Sequence, residues 1–435
     1  MPDARQIAFN ALCKLQKDSS YSNITLDAFL SGSELDTRDK SFVSALFYGV
    51  IERQITLDYN LSLYLSKPIK KLKPEVLTIM RMGAYQLLFM EKVPSSAAVN
   101  ESVKLSIKNS LQFAKGLINA VLRKISTNGL RLPDENDKAN YLSIKYSCNR
   151  WLVEKWLSEY GSEDTEAFLK NSLGASDIYI RVNTEETDSG SLIKLLREEG
   201  VDAEKTYLDD ALKIKFGGTD IENIKAFKDG LFHVQDLACQ LSVKALDIKE
   251  GDRVFDLCSA PGGKAFTAAQ YAGKTGEVLA FDIYENRVEL IKKGAERLNL
   301  SNIKALCGDA SVYNSDLGFA DRVLCDVPCS GFGIIGKKPE IKYKSPDEAK
   351  EIEKLQYPIL KNGAKYVKKG GLLLYSTCTL SKAENEEVCE RFLNEHKNFV
   401  SVKPLPEITD DIFVTLMPHK NGTDGFFIAL FERKE

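Results

Sequence analysis

The sequence predicts a multidomain chain: an all-α N-terminal bundle, a small α+β subdomain, and a C-terminal α/β domain on a mostly parallel sheet. Three observations carry this. The 435 residues exceed what one ordinary core organises. Apolar residues keep a helical period from residue 4 to residue 127. From Arg253 onward, short apolar runs alternate with amphipathic stretches, the signature of right-handed βαβ units. The expected divisions are 1–127, 128–235 and 236–435.

In the first division Ala8, Leu12 and Leu15 recur at helical spacing. Asp36-Thr-Arg is a helix-start signal before Leu46, Val50, Ile51, Ile55 and Leu57. Ile69 to Met90 is apolar enough for buried turns and a helix, with Pro74 in its first turn. Val103, Ile107, Leu111, Ala114, Ile118, Val121 and Ile125 read as one continuous stripe. The polar side of that helix carries Lys104, Lys108, Lys115 and Arg123.

Asn128 to Lys138, with Gly129 and Pro133, reads as a linker. Tyr141 to Leu173 returns to helices and includes Trp151 and Trp156. Tyr179–Asn183 and Leu212–Phe216 read as strands around a helix, Ser191–Glu199, closed by Gly200. Asp229 to Asp236 leads into a helix, Leu237–Leu246. Strands are then expected at 254–257, 278–282, 303–307, 322–326 and 372–376, with helices such as Arg287–Leu298 and Ala349–Val367 between them. A closing hairpin is expected from Phe413–Pro418 and Gly425–Phe431.

Composition narrows the function classes. The chain is 43% hydrophobic and 28% charged, with no apolar run long enough to span a bilayer. The N-terminus carries no apolar leader. Nine scattered cysteines without a Cys-x2-Cys pair point to thiols in a reducing, cytoplasmic setting. No metal site is expected, because Cys325 and Cys329 are wrongly spaced and His233, His396 and His419 lie far apart in sequence. The net charge of −3 hides a local excess: Lys67 to Lys124 holds 11 Lys/Arg against 3 Asp/Glu. That basic face is either a nucleic-acid surface or a solvated bundle face.

Three motifs carry chemistry: Asp256-Leu-Cys-Ser-Ala-Pro-Gly-Gly-Lys264, Asp326-Val-Pro-Cys-Ser-Gly331 and Ser376-Thr-Cys-Thr379. Cys258 to Lys264 form a turn after the first strand of the sheet. Within it Ala260, Pro261, Gly262 and Gly263 let backbone approach a ligand, and a helix N-terminus follows. Asp282 closes the second strand 19 residues after Gly263, the spacing at which an acid grips a ribose. Asp309, in Cys307-Gly-Asp-Ala310, is expected to end the third strand and to be placed to hold an adenine amino group. The turn departs from Gly-x-Gly-x-x-Gly, so the series of acids fits a nucleoside without phosphates, of which S-adenosylmethionine is one.

Cys329 and Cys378 each follow a strand, and adjacent strand ends would bring both thiols beside that turn. Two thiols there suit methylation of a poor carbon nucleophile. A thiolate adding to C6 of cytosine makes C5 nucleophilic, and a base must later remove the C5 proton. Asp326 is placed to bond the N3/N4 edge of the ring. Spacing alone leaves the two cysteines equivalent. The remaining cysteines (Cys13, Cys148, Cys239, Cys307, Cys325 and Cys389) read as small buried apolar groups.

In order and spacing these motifs, with Glu384-Asn-Glu386 and Asp424-Gly-Phe-Phe427, resemble the Sun family of RNA cytosine-C5 methyltransferases, and the helical division resembles the NusB RNA-binding fold. The resemblance implies a Rossmann-like catalytic domain, S-adenosylmethionine as methyl donor and a cytosine of 16S ribosomal RNA as substrate. It implies that Cys378 is the nucleophile and that Cys329 serves product release. It also implies cofactor contacts from Cys258, Ser259, Ala260, Pro261, Gly262, Gly263 and Lys264, and from Asp282, Asp309 and Asp326.

The loop Gly333 to Glu340 departs slightly from the family pattern, with Lys337 and Lys338 keeping a charge suited to phosphate contact. A monomer is expected. The competing readings are a tRNA or DNA cytosine methyltransferase and a non-catalytic RNA-binding assembly factor.

Overall fold

The computed structural model describes residues 3–18, 22–174, 176–215 and 221–435. They fall into two compact units. The first holds residues up to 173 together with 335–344, and the second holds 174–334 and 345–435.

The first unit is helical: α1 (Ala4–Asp18), α2 (Ser22–Ser31), α3 (Thr37–Glu52), α4 (Gln54–Ser62), α5 (Pro74–Phe89), α6 (Ser95–Lys108), α7 (Lys115–Asn128), α8 (Lys138–Tyr146) and α9 (Arg150–Asn171). Local chemistry sets the ends. The Asp36 side chain accepts from Asp39 N and caps α3, and Pro74 sits in the first turn of α5. Ala8, Leu12, Leu46, Val50, Ile79, Ile118, Val121 and Ile125 are buried in one core.

The stripe from Val103 to Ile125 is not one helix. It breaks after α6, where Asn109 Nδ2 bonds Leu105 O and Ser110 takes φ +59°. Asn and Ser side chains compete for backbone groups, so the chain turns there and restarts through Gln112–Ala114. Ile107 is consequently 51% exposed.

Residues Ile335–Lys344 also belong to this unit, and Pro339, Ile341 and Lys342 are buried. Tyr343 Oη donates to Ile51 O at 2.5 Å, and Ser22 Oγ bonds Glu340 at 3.1 Å. Half of the expected phosphate-contact loop is thus packed, while Lys337 and Lys338 are exposed. Burial pulls the Lys342 ammonium down to about 8.

The second unit begins with β1 (Ile178–Val182), α10 (Ser189–Glu198), β2 (Asp202–Lys205), β3 (Ala211–Lys215), α11 (Lys225–Lys228) and β4 (Phe232–Val234). The strands pair antiparallel in the order β2-β3-β1-β4. Two of them give little sequence signal. β2 is mostly charged and lies at a sheet edge, and β4 is three residues long. Phe216, expected to end β3, lies outside the described residues.

Then follow α12 (Leu237–Ala245), β5 (Arg253–Asp256), α13 (Gly263–Ala272), β6 (Glu277–Asp282), α14 (Glu285–Arg297), β7 (Ile303–Cys307), β8 (Ala320–Asp326), α15 (Pro346–Gly363), β9 (Val367–Thr377), α16 (Glu386–Glu395), β10 (Phe399–Val402), β11 (Phe413–Leu416), α17 (Pro418–Asn421) and β12 (Phe426–Arg433). Among the described residues these strands form an eight-stranded sheet in the order β10-β12-β9-β8-β5-β6-β7, with β11 also on β12. β5 to β9 pair parallel, and β12 runs antiparallel to β9. The chain lays β6 and β7 on one side of β5, then crosses to lay β8 and β9 on the other. That reversal is the switch point at which α/β sheets bind ligands. The expected closing hairpin is the β11–β12 pair.

Candidate active site

Asp256, Asp282 and Asp326 end β5, β6 and β8, and Asp309 lies two residues past β7, so all four come to the carboxyl edge of the sheet. The turn after β5 is held by Ser259 N donating to Phe281 O at 2.7 Å and Gly262 N to Ser259 O at 2.8 Å. Gly262 has φ +113°, and a Cβ there would lie 2.4 Å from the Phe266 ring, so glycine is required.

Lys264 does not reach outward from this turn. Its Nζ bonds Asp326 Oδ2 at 2.7 Å and lies 3.4 Å from Cys239 Sγ. Burial pulls the Lys264 ammonium down, but Asp326 outweighs it and holds the group above its ordinary range. Ser376 Oγ donates to Asp326 Oδ1 at 2.8 Å, so both carboxylate oxygens are oriented. Asp256 is 1% exposed, and burial, then the Asp326 charge, push its carboxyl up to about 7.

A cavity of about 250 Å³ opens beside the ends of β6 and β7, lined by Leu257, Phe281, Asp309, Ala310, Asn362 and Tyr366 among others. Cys307 lines it too. This thiol is exposed, correcting the expectation of a buried apolar group. Asp309 Oδ1 accepts from Ser311 N at 2.8 Å and Ser311 Oγ at 2.7 Å. Asp282 Oδ1 accepts from Tyr284 N at 3.0 Å. A largely apolar slot with Asp309 in its lining fits the purine of a nucleoside.

The two motif cysteines meet. β8 and β9 are adjacent and parallel, Asp326 pairs with Ser376, and Cys329 Sγ lies 3.2 Å from Cys378 Sγ. The hydrogen bond to Cys378, then burial, raises Cys329 well above the ordinary thiol range. Gly333 N donates to Cys378 O at 2.9 Å, and Gly425 N to Gly333 O at 3.0 Å. Sequence reasoning gave no role to Ser376, Gln356, Glu384 or Asn385, which support these two loops. Ser376 lies in a motif and Glu384 and Asn385 in a segment that matches the family pattern, but Gln356 carried no signal, because a polar residue on a helix face looks solvated.

Family models match the chain in three segments: residues 243–432 as 16S rRNA methyltransferase RsmB/F, 2–127 as the NusB family, and 148–220 as the ferredoxin-like domain of RsmF/B-like methyltransferases. A Bacillus subtilis protein named probable ribosomal RNA small subunit methyltransferase B is 36% identical, covering 99% of this chain and 98% of its own. The chain belongs to this methyltransferase family.

A Pseudomonas putida member, ribosomal RNA small subunit methyltransferase B, is 29% identical over 98% of this chain and 97% of its own. The crystal structure of PH0851 superposes with a TM-score of 0.83 and 28% identity, covering 100% of this chain and 99% of that one. The structure of NSun6 from Pyrococcus horikoshii with SFG shares the fold, at a TM-score of 0.59 and 22% identity over 65% of this chain and 98% of that one. As a member of the family the chain is an S-adenosylmethionine-dependent rRNA methyltransferase. Among the described residues no helix is long and apolar enough to cross a membrane.

Proposed function

We propose that this methyltransferase modifies C5 of a cytosine in 16S rRNA through a covalent adduct between Cys378 and C6 of the base. The observation that carries the reading is the thiol pair, Cys329 and Cys378 at 3.2 Å, with Asp326 ending the strand that precedes one of them. S-adenosylmethionine supplies the methyl group. The turn Cys258–Lys264, Asp282 and Asp309 are suited to hold it, with its purine in the slot of Phe281, Asp309 and Tyr366. Lys264 acts through Asp326 in this scheme.

The target cytosine leaves its stack to reach the thiols. Asp326, oriented by Lys264 and Ser376, receives the N3/N4 edge. Cys378 Sγ adds to C6 and electron density moves to C5. Cys329, with its Sγ 3.2 Å from that of Cys378, is placed to serve the later step in which the C5 proton passes to a base and the C6–S bond breaks. The NusB-like segment and the small antiparallel sheet supply contacts to the shape and phosphates of the RNA.

The test uses labelled S-adenosylmethionine and unmodified small-subunit rRNA. Cys378→Ala abolishes transfer, and Cys329→Ala accumulates a covalent protein–RNA adduct visible on a denaturing gel. An adduct formed by Cys378→Ala and absent from Cys329→Ala would reverse the roles. A wild-type protein that binds rRNA without transferring methyl to any RNA would be a binding factor instead.

A further inference from the structure

We infer that Glu384 is a positioning residue that clamps the two cysteine loops together, setting the separation of the thiols on which turnover depends. Glu384 has no exposed surface, yet it lies in a short connector, Lys382–Glu384, between β9 and α16. A carboxylate in such a place is costly unless its oxygens are filled. They are filled by Ser330 and Gln356. Ser330 N donates to Oε2 at 2.8 Å and Ser330 Oγ to Oε1 at 2.6 Å. Gln356 Nε2 donates to Oε2 at 2.9 Å and Thr379 Oγ1 approaches Oε1 at 3.4 Å.

The identity of the donors makes this more than a satisfied core acid. Ser330 follows Cys329, and Thr379 follows Cys378, so the carboxylate holds the residue after one thiol directly and the residue after the other through the Ser330 hydroxyl. Ser330 Oγ and Thr379 Oγ1 are also 2.6 Å apart. Because a carboxylate only accepts, the Ser330 hydroxyl points to Glu384 and takes its own bond from Thr379. Gln356 ties in the start of the same loop by donating to Pro328 O at 3.1 Å.

The backbone of the clamp is anchored as well. Tyr375 Oη donates to Glu384 O at 2.5 Å. The neighbouring Asn385 accepts from Thr377 Oγ1 at 2.6 Å and donates to Thr379 O at 3.0 Å, holding both flanks of Cys378. Glu384→Gln would keep the shape but turn an amide NH2 toward hydrogen-bond donors, loosening one loop from the other.

This inference rests on reading the two cysteines as the reacting pair, and it is tested by two independent measurements. The first needs neither RNA nor cofactor. Diamide oxidises the thiols to a Cys329–Cys378 disulfide, being itself reduced to the hydrazine, and peptide mass spectrometry follows the rate. Wild type closes this bond readily, Glu384→Gln slows it, and Ser330→Ala, which removes the two hydroxyl bonds of the clamp but keeps Ser330 N on Glu384, falls between.

The second measurement is steady-state methylation. In Glu384→Gln, kcat falls roughly 100-fold, the effect of a misplacement near 1 Å, while KM for RNA and cofactor affinity stay near wild type. Glu384→Asp recovers part of the activity. A Glu384→Gln protein with wild-type disulfide rate and kcat overturns the clamp. Loss of cofactor binding and thermal stability in step with kcat overturns the positioning role in favour of a general structural one. Wild type that oxidises readily but transfers no methyl would sink the proposed function and leave the clamp standing.

Discussion

Asp256 is an acid whose charge its surroundings tolerate poorly. It ends β5, is almost fully buried, and has a carboxyl pushed up to about 7 by burial and by Asp326, against an ordinary value near 3.8. A carboxyl with a raised folded-state pKa binds its proton more tightly folded than unfolded. Its contribution to stability is therefore complete at pH below about 4 and is lost as pH rises through 7. At 1.36 kcal/mol per pKa unit the loss is on the order of a few kcal/mol.

Asp256→Asn removes that titration. In cofactor-free protein its Tm advantage over wild type is expected to grow from pH 4.5 to pH 8, and an advantage independent of pH would refute this. The acids were legible from sequence because each stands at a strand end. Their inequality was not: Asp326 is paired by Lys264 and Ser376, whereas Asp256 is not compensated enough to stay in the ordinary range. Likewise spacing could not separate Cys329 from Cys378, because each follows the end of one of two adjacent parallel strands and the two sulfurs meet 3.2 Å apart.

Elements were legible where burial and period agreed. The parallel strands β5 to β8 are largely short apolar runs closed by acids or glycines, and the sequence shows them directly. The break between α6 and α7 was hidden because both helices contribute to one core, so the apolar period runs through a turn made by Asn109 and Ser110. β10 is invisible in sequence because four residues cannot show a period, and its pairing with β12 is decided by tertiary contact.

The turn before α13 offers a test at this scale. Gly262 lies in the left-handed region with the Phe266 ring filling the space a side chain would take, and Gly294 packs on the same ring. Gly262→Ala adds backbone strain of about 1–2 kcal/mol and forces Phe266 against α14. A lower Tm and weaker S-adenosylmethionine binding by calorimetry are expected together, because the same turn anchors the helix and is the one proposed to hold the ligand. Weaker binding at an unchanged Tm would mean that the ring yields freely.

At the scale of the whole molecule, charge has to be sorted by what it touches before it can be read as function. The basic stretch from Lys67 to Lys124 loses Arg81, which forms a bidentate pair with Asp58 at 2.7 and 2.6 Å inside the helical unit. Lys104 is partly offset by Glu101 at 2.8 Å. Lys67, Lys70, Lys71, Lys73, Lys115 and Lys124 are exposed. Lys73 Nζ lies 5.1 Å over Phe113, an aromatic ring 66% exposed, and Lys124 Nζ lies 5.9 Å over Tyr64.

Exposed cations interleaved with aromatic faces suit unpaired RNA, where phosphates and bases are both within reach. Replacing Lys70, Lys71 and Lys73 with alanine should weaken rRNA binding at low salt. It should also flatten the dependence of log K on log salt by about 0.7 for each phosphate that is no longer neutralised. If these lysines serve binding alone, KM for rRNA rises while kcat at saturating RNA stays at the wild-type value. A triple variant with the wild-type salt slope would assign these lysines to keeping the bundle in water, and the RNA-binding surface would then have to lie elsewhere in the chain.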